Sequence, residues 1–137
     1  MKVICKDNTA KRLDPKEVNN ISIDNTVFPV TKGKEYIVMG LTTYKDSNCI
    51  YYLIDEFNHP FWLPYPLFEI SHNQLSPNWF VKFFDKQGFG DLYYLSGFYE
   101  MCKDENYHDA LIEREQYALD IYFKRKCEVQ EWYDSNG

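Results

Sequence analysis

The sequence predicts an α+β fold: a small antiparallel β-barrel over about residues 1–84, followed by an acidic helical segment over about residues 91–130, the whole of 1–137 forming one domain. Three observations lead there. Short runs rich in Val, Ile, Tyr and Phe follow one another through the first part of the chain, joined by turns of a few residues, which describes a closing meander. No connection between these runs is long enough for a crossover helix, so a parallel βαβ arrangement is excluded. Beyond them, apolar residues recur at spacings of three and four, the period of a helix with one buried face.

Met1–Lys6 alternates weakly and holds Val3, Ile4 and Cys5, as a first strand should. Residues 7–20 are polar, with Pro15 and the pair Asn19-Asn20, and read as a loop or a short helical turn. Ile21–Val30 alternates at its start, breaks at Asp24-Asn25 and carries Pro29, which removes a ladder donor, so it fits only an edge strand. After a turn at Lys32-Gly33-Lys34, Glu35–Tyr44 reads as a strand with Gly40 as a candidate bulge. Lys45–Asn48 turns the chain into Cys49–Ile54, a strand apolar at nearly every position. Asp55–His59 is a hairpin-like connection to Phe61–Leu63, and Leu67–Ser71 is a short further strand. Trp79–Phe84 is another, ended by Gly88-Phe89-Gly90, after which Asp91 stands where it can cap a helix.

Tyr107, Leu111, Arg114, Ala118, Ile121 and Tyr122 set a helix from about Asn106 to about Lys126, with a break possible at Arg114-Glu115. Lys124-Arg125-Lys126 near its end complements the helix dipole, which explains this basic cluster without nucleic acid. Trp132–Gly137 is expected to fray.

Composition narrows the function. With Tyr 12, Phe 10 and Trp 3 the chain has far too many aromatics for a solvating tail. Its 21 acids against 15 bases leave a formal charge of −6, which opposes nucleic acid or an anionic membrane as partner and favours a basic one. No apolar run approaches a membrane span, and the first residues turn polar too early for a signal peptide, so a cytoplasmic location is expected. Cys5, Cys49, Cys102 and Cys127 never form the Cys-x-x-Cys pairs of a zinc site and read as reduced, mostly buried thiols.

The charge is not spread evenly. Residues 1–68 hold eight acids and eight bases, whereas residues 91–120 hold eight acids (Asp91, Glu100, Asp104, Glu105, Asp109, Glu113, Glu115, Asp120) against Lys103 and Arg114. That segment alone equals the net charge of the chain. Leu92, Leu95, Phe98, Met101, Tyr107 and Leu111 interleave with the acids, so the segment belongs to folded structure, either as a solvated helix face or as a docking surface for a cation.

No motif announces catalysis, and no cofactor or metal is expected. His59, His72 and His108 lie in unrelated contexts, and a spatial Cys102-His108 pair is the one nucleophile-base arrangement left open. Gly33, Gly88 and Gly90 have neither phosphate-loop spacing, and Asp85-Lys86-Gln87-Gly88 lacks the alternating oxygens of a calcium loop. The acid pairs Asp55-Glu56 and Asp104-Glu105, and Glu113 with Glu115, read as solvated turns and surface. His59–Phe68, with three prolines among large apolar side chains, is either a rigid aromatic groove or a plug for the barrel end.

Lys32-Gly33-Lys34-Glu35-Tyr36, then Tyr51–Glu56, then Trp62-Leu63-Pro64-Tyr65-Pro66-Leu67-Phe68 resemble the SH3-like barrel of small bacterial and phage proteins, with its Gly-Lys-x-Tyr strand and Trp-x-Pro-x-x-Leu-Phe strand. Ser76-Pro77-Asn78-Trp79 and Tyr99–Glu113 are similar to the C-terminal extension of immunity proteins from polymorphic-toxin and contact-dependent growth inhibition systems. The resemblance implies a non-catalytic bacterial protein that binds a cognate toxin domain, a basic nuclease, and blocks its active site. Asp104, Glu105, Asp109 and Glu113 are the residues expected to meet the toxin. The acidic-aromatic signature for proline-rich peptides is missing, so peptide binding is not carried over. The alternative is a phage or mobile-element accessory protein whose SH3-like barrel mediates a protein–protein contact, with the Phe61–Phe68 surface binding. An enzyme assembled around His108 and Cys102 is a third reading. The sequence sets no oligomeric state.

Overall fold

Val3 lies at the centre of a three-stranded sheet, opposite Tyr36 on one side and Ile70 on the other. In the computed structural model, which describes residues 1–14, 26–45, 48–84 and 92–136, the strands numbered along the chain are β1 (Lys2–Cys5), β2 (Glu35–Ile37), β3 (Gly40–Tyr44), β4 (Ile50–Glu56), β5 (His59–Pro64), β6 (Phe68–His72), β7 (Phe80–Phe83) and β8 (Leu92–Gly97). They form two antiparallel sheets, ordered β2-β1-β6 and β5-β4-β3-β8-β7. The two sheets are not closed into one barrel. The first half of the expected edge strand at Ile21–Val30, Asp46 and Ser47 of the turn before β4, the turn at Lys86–Gly90 and the cap at Asp91 lie outside the described residues.

The chain crosses between the sheets three times, the last in the connection from β6 back to β7. The expected strand Glu35–Tyr44 is divided at Val38-Met39: the Val38 amide donates to the Met1 carbonyl in one sheet (3.0 Å), and the Met39 amide to the Leu53 carbonyl in the other (2.9 Å). The second crossing is a 3-10 turn, Tyr65–Leu67, started by Pro64 and holding Pro66, which links β5 to β6. Half of the proline-rich run, Pro60, Leu63, Pro64, Leu67 and Phe68, is buried in the fold.

Two cores result. Val3, Cys5, Tyr36, Val38, Tyr52, Ile54, Leu63, Leu67 and Phe68 form one that joins both sheets. Met39, Leu53, Leu95, Phe98, Met101, Tyr107, Leu111 and Tyr122 form the second, between the five-stranded sheet and the helices. β4 sends Tyr52 and Ile54 to the first core and Leu53 to the second, which is why its sequence is apolar without alternation.

Gly40 is not a bulge. It faces Gly97 across β3 and β8, and a Cβ on Gly97 would lie 2.7 Å from the Met39 carbonyl oxygen, so both glycines serve a close backbone approach. The irregularity in this ladder falls instead between Thr43 and Tyr44.

The helical segment begins later than expected. Leu92–Gly97, read as the opening of the extension, is β8, paired with both β3 and β7. Helices α1 (Tyr99–Lys103), α2 (Tyr107–Ile112) and α3 (Gln116–Asn136) follow. The break at Arg114-Glu115 is present, with Arg114 in the left-handed region at φ 58°. At the other end, α3 does not fray after Trp132: Tyr133 is buried, and its ring packs edge-on against His72 at 5.0 Å. Because the helix continues, Lys124–Lys126 lies in its middle and not at its dipole end. Arg125 pairs there with Glu100 and Glu128, and Lys126 with Asp55. Cys5, Cys49 and Cys102 are buried thiols and Cys127 an exposed one.

Candidate functional site: an acidic helical layer on the five-stranded sheet

The described carboxylates of residues 92–120 sit on α1, α2, the start of α3 and the turns between them, elements whose apolar sides are fixed from below. Tyr107 and Leu111 of α2 are fully buried against Phe98, Ala118 and Tyr122, and the Tyr107 hydroxyl donates to the Ala118 carbonyl at 2.7 Å. Fully burying such side chains contributes about 1.5–3 kcal/mol each, so the layer is tied firmly to the sheet.

Asp104 ends α1 and starts the next turn. Its carboxylate accepts from the Asn106 amide at 3.0 Å, and its carbonyl from the Tyr107 amide at 3.2 Å. Asp109 follows in the first turn of α2, where a negative charge suits the helix dipole, and its side chain is 66% exposed. Glu113 caps α2 at the other end, and its amide donates to the Asp109 carbonyl at 2.9 Å. Glu105, Glu115 and Asp120 are exposed as well. All four residues expected to meet a toxin, Asp104, Glu105, Asp109 and Glu113, thus lie at the surface of the α1–α2 region. Asp91 lies outside the described residues, and Glu100 is the exception among the acids. Arg125 donates to it in a bidentate pair, Nε at 2.8 Å and Nη2 at 2.7 Å, and holds its carboxyl below the usual range.

Beneath this surface the His108 side chain of α2 is 13% exposed and packs against β5. Trp62 Nε1 donates to His108 Nε2 at 3.0 Å, so the ring proton resides on Nδ1, which lies 3.6 Å from the Asp109 carboxylate. Burial lowers the His108 pKa, against the opposing pull of Asp109. Arg114 places its guanidinium over the Phe61 ring, 5.0 Å from the centroid, and so ties the α2–α3 corner to the same strand. Cys102 donates to the Leu95 carbonyl at 3.4 Å, and burial raises its thiol pKa. Cys102 and His108 are each engaged with other groups, and the nucleophile-base pair left open by the sequence is not made.

Two further constellations escaped the sequence. Asp55 and Glu56 are not in a solvated turn. Glu56 is 5% exposed and accepts from Lys34 Nζ at 2.6 Å, from the Tyr36 hydroxyl and from Thr31 Oγ1 at 3.2 Å. Asp55 accepts from Tyr122 at 3.0 Å and Lys126 at 2.8 Å. The turn itself is Phe57-Asn58, both left-handed, at φ 52° and 63°. The second is a cleft of about 260 Å³ between the 76–80 loop and α3, walled by Trp79, Phe80, Tyr99 and Trp132. No short-range pattern marks either one, because each is assembled from segments about twenty or more positions apart. Among the described residues no group of His, Cys, Asp and Glu is placed to hold a metal ion, and no helix is long and apolar enough to cross a membrane.

No protein-family model, curated protein or solved structure matches the chain.

Proposed function

We propose that this chain is a non-catalytic immunity protein that binds a cognate basic toxin domain, a nuclease, and blocks its active site through the acidic helical layer. The observation that carries the reading is the exposure of Asp104, Glu105, Asp109, Glu113, Glu115 and Asp120 on adjoining helical elements, with only Lys103 and Arg114 as bases among residues 91–120. Such a surface attracts a cationic cleft over distance and accelerates encounter in a salt-dependent way. Tight packing of α2 on the sheet keeps the carboxylates in place before binding, which reduces the entropy lost on association. In this reading the sheets are an SH3-like barrel serving as scaffold. The reading is supported by β1 pairing with both β2 and β6, by the divided strand at Val38-Met39, and by the 3-10 turn before β6.

The test is co-expression with the toxin encoded beside the gene. Growth is expected to be restored, and the two proteins to elute as one complex whose association slows as salt is raised. The variant Asp104→Lys/Glu105→Lys/Asp109→Lys/Glu113→Lys is expected to fold and to lose protection. If growth is not restored and no complex elutes, or if the quadruple variant protects as well as the parent, the assignment fails.

A further inference from the structure

Four aromatic side chains converge on the cleft of about 260 Å³ beside α3. Trp79, Phe80 and Trp132 are partly buried and Tyr99 is 51% exposed, so each leaves part of its surface uncovered. The walls are held in place. Phe80 on β7 and Tyr99 on α1 meet edge-on, with ring centroids 5.6 Å apart and planes at 82°, and form a right-angled corner. The Trp79 indole donates to the Ser96 hydroxyl. Buried Met39 and Phe98 also line the cleft and add apolar surface. On α3, Arg125, Glu128, Val129 and Trp132 recur at spacings of three and four and share one helix face. Among the described residues of the lining, Arg125 and Glu128 are the charged ones. Arg125 is held between two carboxylates, Glu100 at 2.7 Å and Glu128 at 2.9 Å, so negative charge is in surplus beside the rings.

We propose that this cleft binds a quaternary ammonium group, the trimethylammonium head of a small cation. Converging aromatic rings with a surplus carboxylate attract a cation, because the ring faces are electron-rich and the acid adds full charge. The polar wall selects the kind of cation. Both Glu128 oxygens already accept from Arg125 Nη1, at 2.9 and 3.1 Å, so the carboxylate supplies charge more than it supplies acceptors. A head bearing methyls needs no acceptor and buries those methyls against the rings. A primary ammonium must leave donors unpaired or break the Arg125 pair. An anion is disfavoured, because Arg125 is already neutralised by its two partners. Volume sets the size: about 260 Å³ lies just under the roughly 300–1,000 Å³ of sites for drug-sized ligands, so the cleft admits a compact group. Asp104, Glu105, Asp109 and Glu113 do not line it, and the proposal stands or fails independently of toxin binding.

The chain has 3 tryptophans, and proton–nitrogen correlation spectra of the full chain follow each indole separately. Choline titrated to about 20 mM at constant ionic strength should shift the Trp79 and Trp132 indole resonances along one saturating curve, with a dissociation constant below about 5 mM. Trp62, bonded to His108 away from the cleft, should stay in place. The neutral isostere of choline, with carbon in place of nitrogen, should bind at least about tenfold more weakly, and ethanolamine, with N–H groups in place of the methyls, at least about fivefold. Trp132→Leu and Glu128→Gln should each weaken choline binding at least about threefold, and Glu113→Gln on the helical layer should leave it unchanged. Phosphatidylcholine vesicles present the same group on a lipid. Sedimentation of the chain with them, reversed by choline, assigns a headgroup as the source; choline binding without sedimentation assigns a free solute. The absence of a saturable shift overturns the proposal, as does an isostere or ethanolamine that binds as tightly as choline, or a Glu128→Gln chain that binds choline unchanged. If Trp132→Leu does not fold, the two analogues decide the matter on the parent chain.

Discussion

Trp62 on β5 donates its indole proton to His108 on α2 at 3.0 Å, a side-chain hydrogen bond that joins the edge strand of the five-stranded sheet to the helix that carries Asp109. The bond requires an unprotonated Nε2, and the enclosed site disfavours a charged ring. The folded His108 pKa therefore lies below its ordinary 6.5, and the unfolded chain takes up the proton first as pH falls. The stabilisation from this site is complete above about 6.5 and declines as pH drops through the lower folded value. Melting temperatures measured between pH 7.5 and 5 should fall for the parent chain. His108→Gln keeps an acceptor for Trp62 but no titration, and should flatten that part of the profile; an unchanged slope would show that His108 is not its source.

Glu56 supports a second prediction. Burial works against its charge, but hydrogen bonds from Lys34 and Tyr36 outweigh the burial and hold the carboxyl below its ordinary 4.5. A folded pKa below the unfolded one contributes stability that is present above about 4.5 and lost as pH falls further. Glu56→Ala leaves Lys34 and Tyr36 without their acceptor and should cost about 2–4 kcal/mol at pH 7 by denaturant melts. Tyr36→Phe, which removes one donor, should cost about 1–2 kcal/mol. A loss under about 0.5 kcal/mol for Glu56→Ala would place the cluster among dispensable surface pairs.

Gly97→Ala tests the close approach of β8 to β3. The added Cβ meets the Met39 carbonyl oxygen at 2.7 Å, a backbone atom that cannot rotate away. The strands must separate locally, at a cost of about 1–3 kcal/mol. Gly33→Ala meets no atom within 4 Å but sits at φ 84°, so its smaller loss arises from backbone strain alone. Equal destabilisation of the two would contradict the packing account.

What the sequence disclosed and what it withheld follow from the range of the interactions. Strand-forming runs such as Tyr51–Ile54, the period from Tyr107 to Tyr122 and the break at Arg114 are local and were legible. Leu92–Gly97 was misread because acids on either side gave it the composition of the helical segment, while its actual partners, β3 and β7, lie far back in the chain. The pair Asp55-Glu56 read as solvated because its neutralising groups, Lys34, Tyr36, Tyr122 and Lys126, are distant in sequence. The acidic layer was legible as charge because its members are close neighbours along the chain.

The end of α3 carries the last prediction. A polar tail, Asp134-Ser135-Asn136, follows Trp132-Tyr133, and such an end ordinarily frays. Here Tyr133 is 3% exposed, its hydroxyl donates to the Gln74 carbonyl at 2.8 Å, and Lys2 lies over its ring at 4.8 Å. The residue therefore joins the final helical turn to β1 and to the strand-end loop after β6, and the second core extends to it. Tyr133→Ala removes a buried ring and should cost about 3–5 kcal/mol, whereas Asp134→Ala, exposed one position later, should change stability by less than about 0.5 kcal/mol. Tyr133→Phe separates packing from the hydrogen bond and should lose only about 1 kcal/mol. Amide exchange gives an independent reading: protection at residues 129–133 should approach that of the middle of α3 in the parent chain and collapse in Tyr133→Ala. Rapid exchange there in the parent would mean that the helix end is not held by Tyr133.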